Sequence, residues 1–169
     1  MMPFQPRFNA KFIRPIRDNL IALVKANGRA ALDVAGAGLT MPLPDFRMHA
    51  KSRRKNTQYP FLGIFGERTT ISEGDDHLSE QHEFTVEIAL LGSDPEELSE
   101  RTERYVEAVD SIIRSASDGE ITQGLSLARN RAGWDVIAHD YDRIRESTIR
   151  EGQYLQLAQL RVVVQVREA

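Results

Sequence analysis

The densest group of side chains able to hold a cation or move a proton is Asp75, Asp76, His77, Glu80 and His82. Two imidazoles with carboxylates are donors that a divalent ion accepts. The spacing follows no recognised ligand pattern, however, and the same residues suit a solvated hairpin tip, so no metal is expected. Gly124-Leu125-Ser126-Leu127-Ala128 is one residue short of a Gly-x-Ser-x-Gly nucleophile elbow. That elbow needs a buried strand just before its serine, whereas Asp118-Gly119-Glu120 reads as a turn. His139-Asp140, with Asp142 close by, reads as a strand end rather than a catalytic pair. Gly36-Ala37-Gly38 could open a dinucleotide fingerprint, but Met41 takes the third glycine position, and Pro42 and Pro44 forbid the helix that would receive the pyrophosphate. The chain has 4 histidines, none in a convincing partnership, which leaves little for general acid–base work. No catalytic residue and no cofactor is expected; a small hydrolase using Ser126 or His77 is the alternative from the enzyme class.

The remaining reactive feature is charge. Residues 1–60 hold 11 basic and 3 acidic groups, a balance of +8, and residues 61–169 hold 11 basic and 22 acidic, a balance of −11. Lys51-Ser52-Arg53-Arg54-Lys55 is the basic focus. It suits a solvated loop, a partner protein, or phosphate contacts with a salt-dependent affinity. A nucleic-acid binder is disfavoured, because the net charge is −3 and aromatics are 7% of the chain. The two unlike halves either neutralise one another within the fold or meet between copies, head to tail, in a contact that closes into a ring when the rotation allows. The candidate interface residues are Arg53, Arg54 and Lys55 on the basic side and Asp75, Asp76, Leu78 and Glu80 at the hairpin tip.

The scaffold follows from length and periodicity. At ~100–200 residues per domain, 169 residues make one domain, and with 0 Cys it rests on packing and hydrogen bonds. No apolar run approaches the ~18–20 residues of a membrane helix, so no membrane partner is expected. Four basic residues and no acid in residues 1–17 faintly resemble a transit peptide, but an ordinary first helix is the expectation. Ile16, Leu20, Leu23 and Val24 predict that helix over about Pro15–Ala26, closed by Asn27-Gly28. Leu32 and Val34 suggest a short strand, and residues 36–58 a connector carrying the basic patch. Phe61-Leu62-Gly63-Ile64-Phe65 reads as a buried strand, and Phe84, Val86, Ile88 and Leu90 as one face of a half-exposed strand. Between them, residues 72–82 read as an oversized hairpin loop, either a docking arm ordered only on assembly or an idle hairpin tip.

Asp94-Pro95-Glu96-Glu97 combines a capping carboxylate, a first-turn proline and an early glutamate, and Leu98, Tyr105, Val106, Val109, Ile112 and Ile113 continue one helical stripe. Two strands close the chain: one around Trp134, Val136 and Ala138, and a last one through Leu160, Val162, Val164 and Val166. Leu155 and Leu157 stand in the opposite phase, which predicts a bulge near Ala158. The fold class is α+β: a single domain of residues 1–169, with a 1–14 extension and a mostly antiparallel sheet on which a long helix and an N-terminal helix pack.

This order of elements, from the leading helix through Tyr59-Pro60-Phe61-Leu62-Gly63-Ile64-Phe65 and Glu83-Phe84-Thr85-Val86-Glu87-Ile88-Ala89-Leu90 to the Asp94-Pro95-Glu96-Glu97 helix and the valine-rich final strand, resembles the tail terminator (tail completion) proteins of long-tailed bacteriophages. The resemblance spans roughly Pro15 to Arg167 and carries no motif by which functional residues transfer. It implies a non-enzymatic virion protein, made in the host cytoplasm, whose subunits form a ring, typically a hexamer. The ring caps the tail tube protein and meets head-neck connector proteins, and DNA passes through the lumen without sequence-specific binding. Another neck or stopper component is the alternative within virions.

Overall fold

Alternating apolar residues need a partner on each side to satisfy the backbone, and polar strands can obtain the same bonds from a neighbour of sufficient length. The computed structural model describes residues 12–52, 58–73, 78–125, 132–144 and 152–168. Its elements run α1 (Ile13–Ala35), β1 (Met48–Ala50), β2 (Phe61–Glu73), β3 (Leu78–Gly92), α2 (Pro95–Arg114), α3 (Asp118–Ile121), β4 (Ala132–Ile144) and β5 (Tyr154–Glu168). They form one α+β domain with a sheet of order β1-β2-β3-β5-β4. All pairings are antiparallel except that of β1 with β2. The two long helices lie on one face, α1 over β2 and α2 over β3, β5 and β4.

The second helix forms as its sequence predicts. The Asp94 carboxylate accepts from the backbone N–H of Glu96 at 3.0 Å and of Glu97 at 3.4 Å, and the stripe from Leu98 to Ile113 is buried. The first helix runs nine residues beyond the expected end, and Leu32–Val34 is helix rather than strand. Two contacts carry the chain past Gly28: Leu32 is buried, and Arg29 pairs with Asp33 at 2.7 Å one turn on. Asn27 donates its side-chain amide to the Leu23 carbonyl at 2.9 Å instead of capping.

The expected loop over residues 72–82 is mostly strand. Ser72 pairs with Ser79 and Glu73 with Leu78, and β5 supports the other side of β3 from Leu78↔Glu168 to Gly92↔Tyr154. A polar segment with Leu78 as its one large apolar residue is thus held by ladder bonds to two neighbours, which overrides its weak strand propensity. Only residues 74–77 of it lie outside the described residues. The connector is likewise not featureless, since β1 within it adds an edge strand with Met48 opposite Phe61.

The bulge is also elsewhere. β5 pairs with β3 without a shift, while irregularities fall in β4 between Val136 and Ala138 and in β2 between Gly66 and Arg68. The changed phase of Leu155 has another cause: this end of the sheet is apolar on both faces. Ala158, Leu160, Val162, Val164 and Val166 join the main core under the helices. Leu155 joins a second cluster on the opposite face with Ala50, Phe61, Phe65 and Ala89. Gly63 sits beneath the two phenylalanines, where a Cβ would run into the Phe65 ring and come within 3.0 Å of Phe61.

Candidate functional site

Strand parity places Glu80 and His82 on the same face as Phe84, Val86 and Ile88. Both are buried, at 1% and 0% exposure. Glu80 is therefore an interior residue and not part of a docking arm, which corrects its place among the candidate interface residues. His82 Nδ1 and Thr69 Oγ1 share a hydrogen bond at 3.0 Å, and His82 Nε2 stands 3.7 Å from Glu80 Oε2. Burial pushes the His82 imidazole below its ordinary pKa. Leu78 lies in β3 opposite Glu73 and Glu168. Arg53, Arg54, Lys55, Asp75, Asp76, His77 and Ser126 lie outside the described residues. Among the described residues no group of three metal-donor side chains converges, and no helix is long and apolar enough to cross a membrane.

His139 does not face Asp140. Neighbours on a strand point to opposite faces, and His139 Nε2 instead lies 3.4 Å from Asp110 Oδ1 on α2. A groove of about 340 Å³ runs between residues 39–44 and Glu97, Glu100 and Arg101 of α2. It contains no paired nucleophile and base.

What the fold does assemble is two edges of opposite charge. Along α2, Glu96, Glu103, Glu107 and Asp110 recur at spacings of seven, four and three, which is one helix face. The β4 edge abuts them: Arg114 binds Asp110 at 2.9 Å and Asp135 at 2.8 Å, and donates to the Val136 carbonyl at 2.9 Å. Tyr141, 46% exposed, lies among these acids, its hydroxyl pKa raised by burial first and then by Glu103, Glu107 and Asp110.

At the other edge, Arg14, Asp18, Lys25 and Arg29 share the side of α1 nearest β1. Lys51, just after β1, binds Asp18 at 3.0 Å, and Arg29 binds Asp45 at 2.8 Å. Burial, and then the Lys25 charge, hold the His49 imidazole below its usual pKa. Among the described residues, the basic stripe of α1 and the acidic stripe of α2 thus stand apart, with α1 and β1 toward one end of the sheet and α2 and β4 toward the other. Sequence reading missed Glu103, Glu107 and Tyr141 as a group. The spacing on α2 was visible, but their neighbourhood with β4 was not.

No protein-family model matches the chain, and no curated protein matches it. Among solved structures, a chain from the virion of a native gene transfer agent (GTA) particle is similar to this one at 9% sequence identity and a TM-score of 0.49, the match covering 94% of this chain and 100% of that one.

Proposed function

We propose that the chain is a structural virion subunit of the tail-terminator kind, acting by assembly rather than by turnover. The observation that carries this reading is the placement of the basic α1–β1 side and the acidic α2–β4 side at opposite ends of one sheet. Unlike charges at opposite ends favour head-to-tail association, and a head-to-tail contact closes into a ring when its rotation permits. The order of elements, which resembles that of tail terminators, supports the same conclusion.

In this role the ring, of six copies by that resemblance, caps the tail tube, offers its free face to head-neck connector proteins, and lets DNA through its lumen. A net charge of −3 suits a protein that lets DNA slide past instead of gripping it. The function needs neither metal nor cofactor.

The test is mass measurement of the purified chain, alone and with tail tubes, combined with electron microscopy of the tubes. Discrete rings and capped tube ends are expected. A chain that stays monomeric and leaves the tubes uncapped would overturn the reading; rings that bind head-neck proteins but not tubes would favour the stopper role instead.

A further inference from the structure

We propose that the contact between neighbouring copies is formed by the α2–β4 edge of one copy, centred on Glu103, Glu107 and Tyr141, lying against the α1–β1 edge of the next, centred on Arg14 and Lys25. This rests on the ring reading above and specifies its interface. The interface is different from the one suggested by sequence alone, since Glu80 of that set is interior.

Complementarity of charge and of length carries the assignment. Ion pairs within the subunit use up Asp110 and Asp135 through Arg114, Glu100 through Arg104, and Asp18 through Lys51. After those pairings Glu96, Glu103 and Glu107 on the acidic edge have no cation within ion-pair distance among the described residues. Arg14 and Lys25 on the basic edge likewise have no carboxylate. All five are exposed. At ~1.5 Å per residue, the rise from Glu96 to Asp110 is about 21 Å and from Arg14 to Arg29 about 22 Å, so the two stripes can lie along one another.

The acidic edge also has an apolar centre, in Tyr141 at 46% and Ile137 at 52% exposure. An exposed aromatic ringed by charges is the usual form of an interface anchor. On the basic edge, a groove of about 210 Å³ between α1 and residues 45–49 is floored by Val24, Leu32 and Phe46 and rimmed by Lys25 and Arg29. A second copy satisfies both the charge and the apolar surface at once. Like charge prevents either edge from pairing with itself, so the contact is heterologous and each subunit uses both edges. Ile137 is the residue left out of register in β4; such a bulge discourages strand-to-strand pairing at this edge, which leaves side chains to make the contact.

Full-length variants test this by charge exchange. Glu103→Lys with Glu107→Lys makes both edges basic, and Arg14→Glu with Lys25→Glu makes both acidic. These side chains are exposed, so folding, checked by circular dichroism, is expected to be retained. In ~0.05 M salt, where screening is weak, each variant alone is expected to lose at least about tenfold in apparent association constant by native mass and light scattering. Mixed one to one, the two variants are expected to assemble again, alternating around the ring, and the chain carrying all four changes is expected to recover on its own. If wild-type chains form rings but the reversed variants assemble equally well, the interface lies elsewhere and the ring reading stands. If wild-type chains remain monomeric at every salt concentration, both fall.

Discussion

The indole Nε1–H of Trp134 donates to the backbone carbonyl of Ile113 at 2.9 Å, tying the edge strand β4 to the last turn of α2. Ile113 lies in that last turn, where carbonyls lack the regular partner four residues on, and its carbonyl also accepts from the Ala116 N–H at 3.3 Å. A residue from the sheet thus closes the helix end, and the same crossing brings Arg114 within reach of Asp135. The acidic edge owes its shape to this junction.

Trp134→Phe keeps most of the ring packing but leaves the Ile113 carbonyl with the Ala116 N–H, at 3.3 Å, in place of two donors. The expected loss is about 1 kcal/mol of unfolding free energy, measured by urea denaturation. Assembly is expected to weaken as well, because β4 is then less firmly fixed against Glu103 and Glu107. A variant as stable as wild type would show that the bond contributes nothing net.

Tyr105 is fully buried in the main core, and its hydroxyl donates to the Pro44 carbonyl, holding the connector against α2. Burial pushes its pKa up to about 12. The neutral phenol is therefore favoured in the folded state, and its contribution is complete below pH ~10 and lost as pH rises toward 12. Two pH units correspond to about 2–3 kcal/mol. Tyr105→Phe is expected to be less stable than wild type at neutral pH by about 1 kcal/mol and to lose far less between pH ~10 and 12, so the two stability curves should converge or cross. Parallel curves would contradict the assignment.

His82 gives the opposite dependence. Its folded pKa is below the ordinary value because burial disfavours the imidazolium, so the unfolded chain binds its proton first as the solution is acidified. Stability from this group is full above pH ~6.5 and falls as pH drops below it. Thermal midpoints of wild type and His82→Gln, followed from pH 7 to 5, should draw together on acidification. Since His49 is shifted in the same direction, the comparison between the two proteins is the informative quantity, and a constant gap would exclude His82 as a contributor.

What could be read in advance was local. The cap, proline and stripe of α2 lie within twenty residues of one another, and the helix follows from them alone. The extension of α1 depends on a buried pocket for Leu32, and the length of the β2–β3 hairpin on support from β5, which begins 62 residues after β3 ends; neither is encoded near the segment it decides. Glu80 and His82 were misleading for a related reason. Their composition suggested a solvated loop, while their parity with Phe84 placed them inside once the strand was seen to continue. The unlike charge of the two halves was plain in the sequence, but only the strand order sets the described basic stripe of α1 and the acidic stripe of α2 toward opposite ends.

Gly63 offers a direct test of the second apolar cluster. It lies in β2 between Phe61 and Phe65, which are 2% and 4% exposed, and both rings fold over the space a Cβ would fill. Replacing a strand glycine by alanine ordinarily gains about 0.5–1 kcal/mol through the unfolded chain. Overpacking a filled core costs about 1–3 kcal/mol, so the collision prevails and Gly63→Ala is expected to destabilise. Gly119→Ala, where an added Cβ meets nothing within 4 Å, is the control and should be neutral or slightly stabilising. Adding Phe65→Leu to Gly63→Ala removes the obstructing ring, and the pair should cost less than the sum of the single changes, as residues sharing one space do. Additive losses in a denaturation series would show that the rings yield freely, and that β2 is held here by its pairing with β1 and β3 rather than by its phenylalanines.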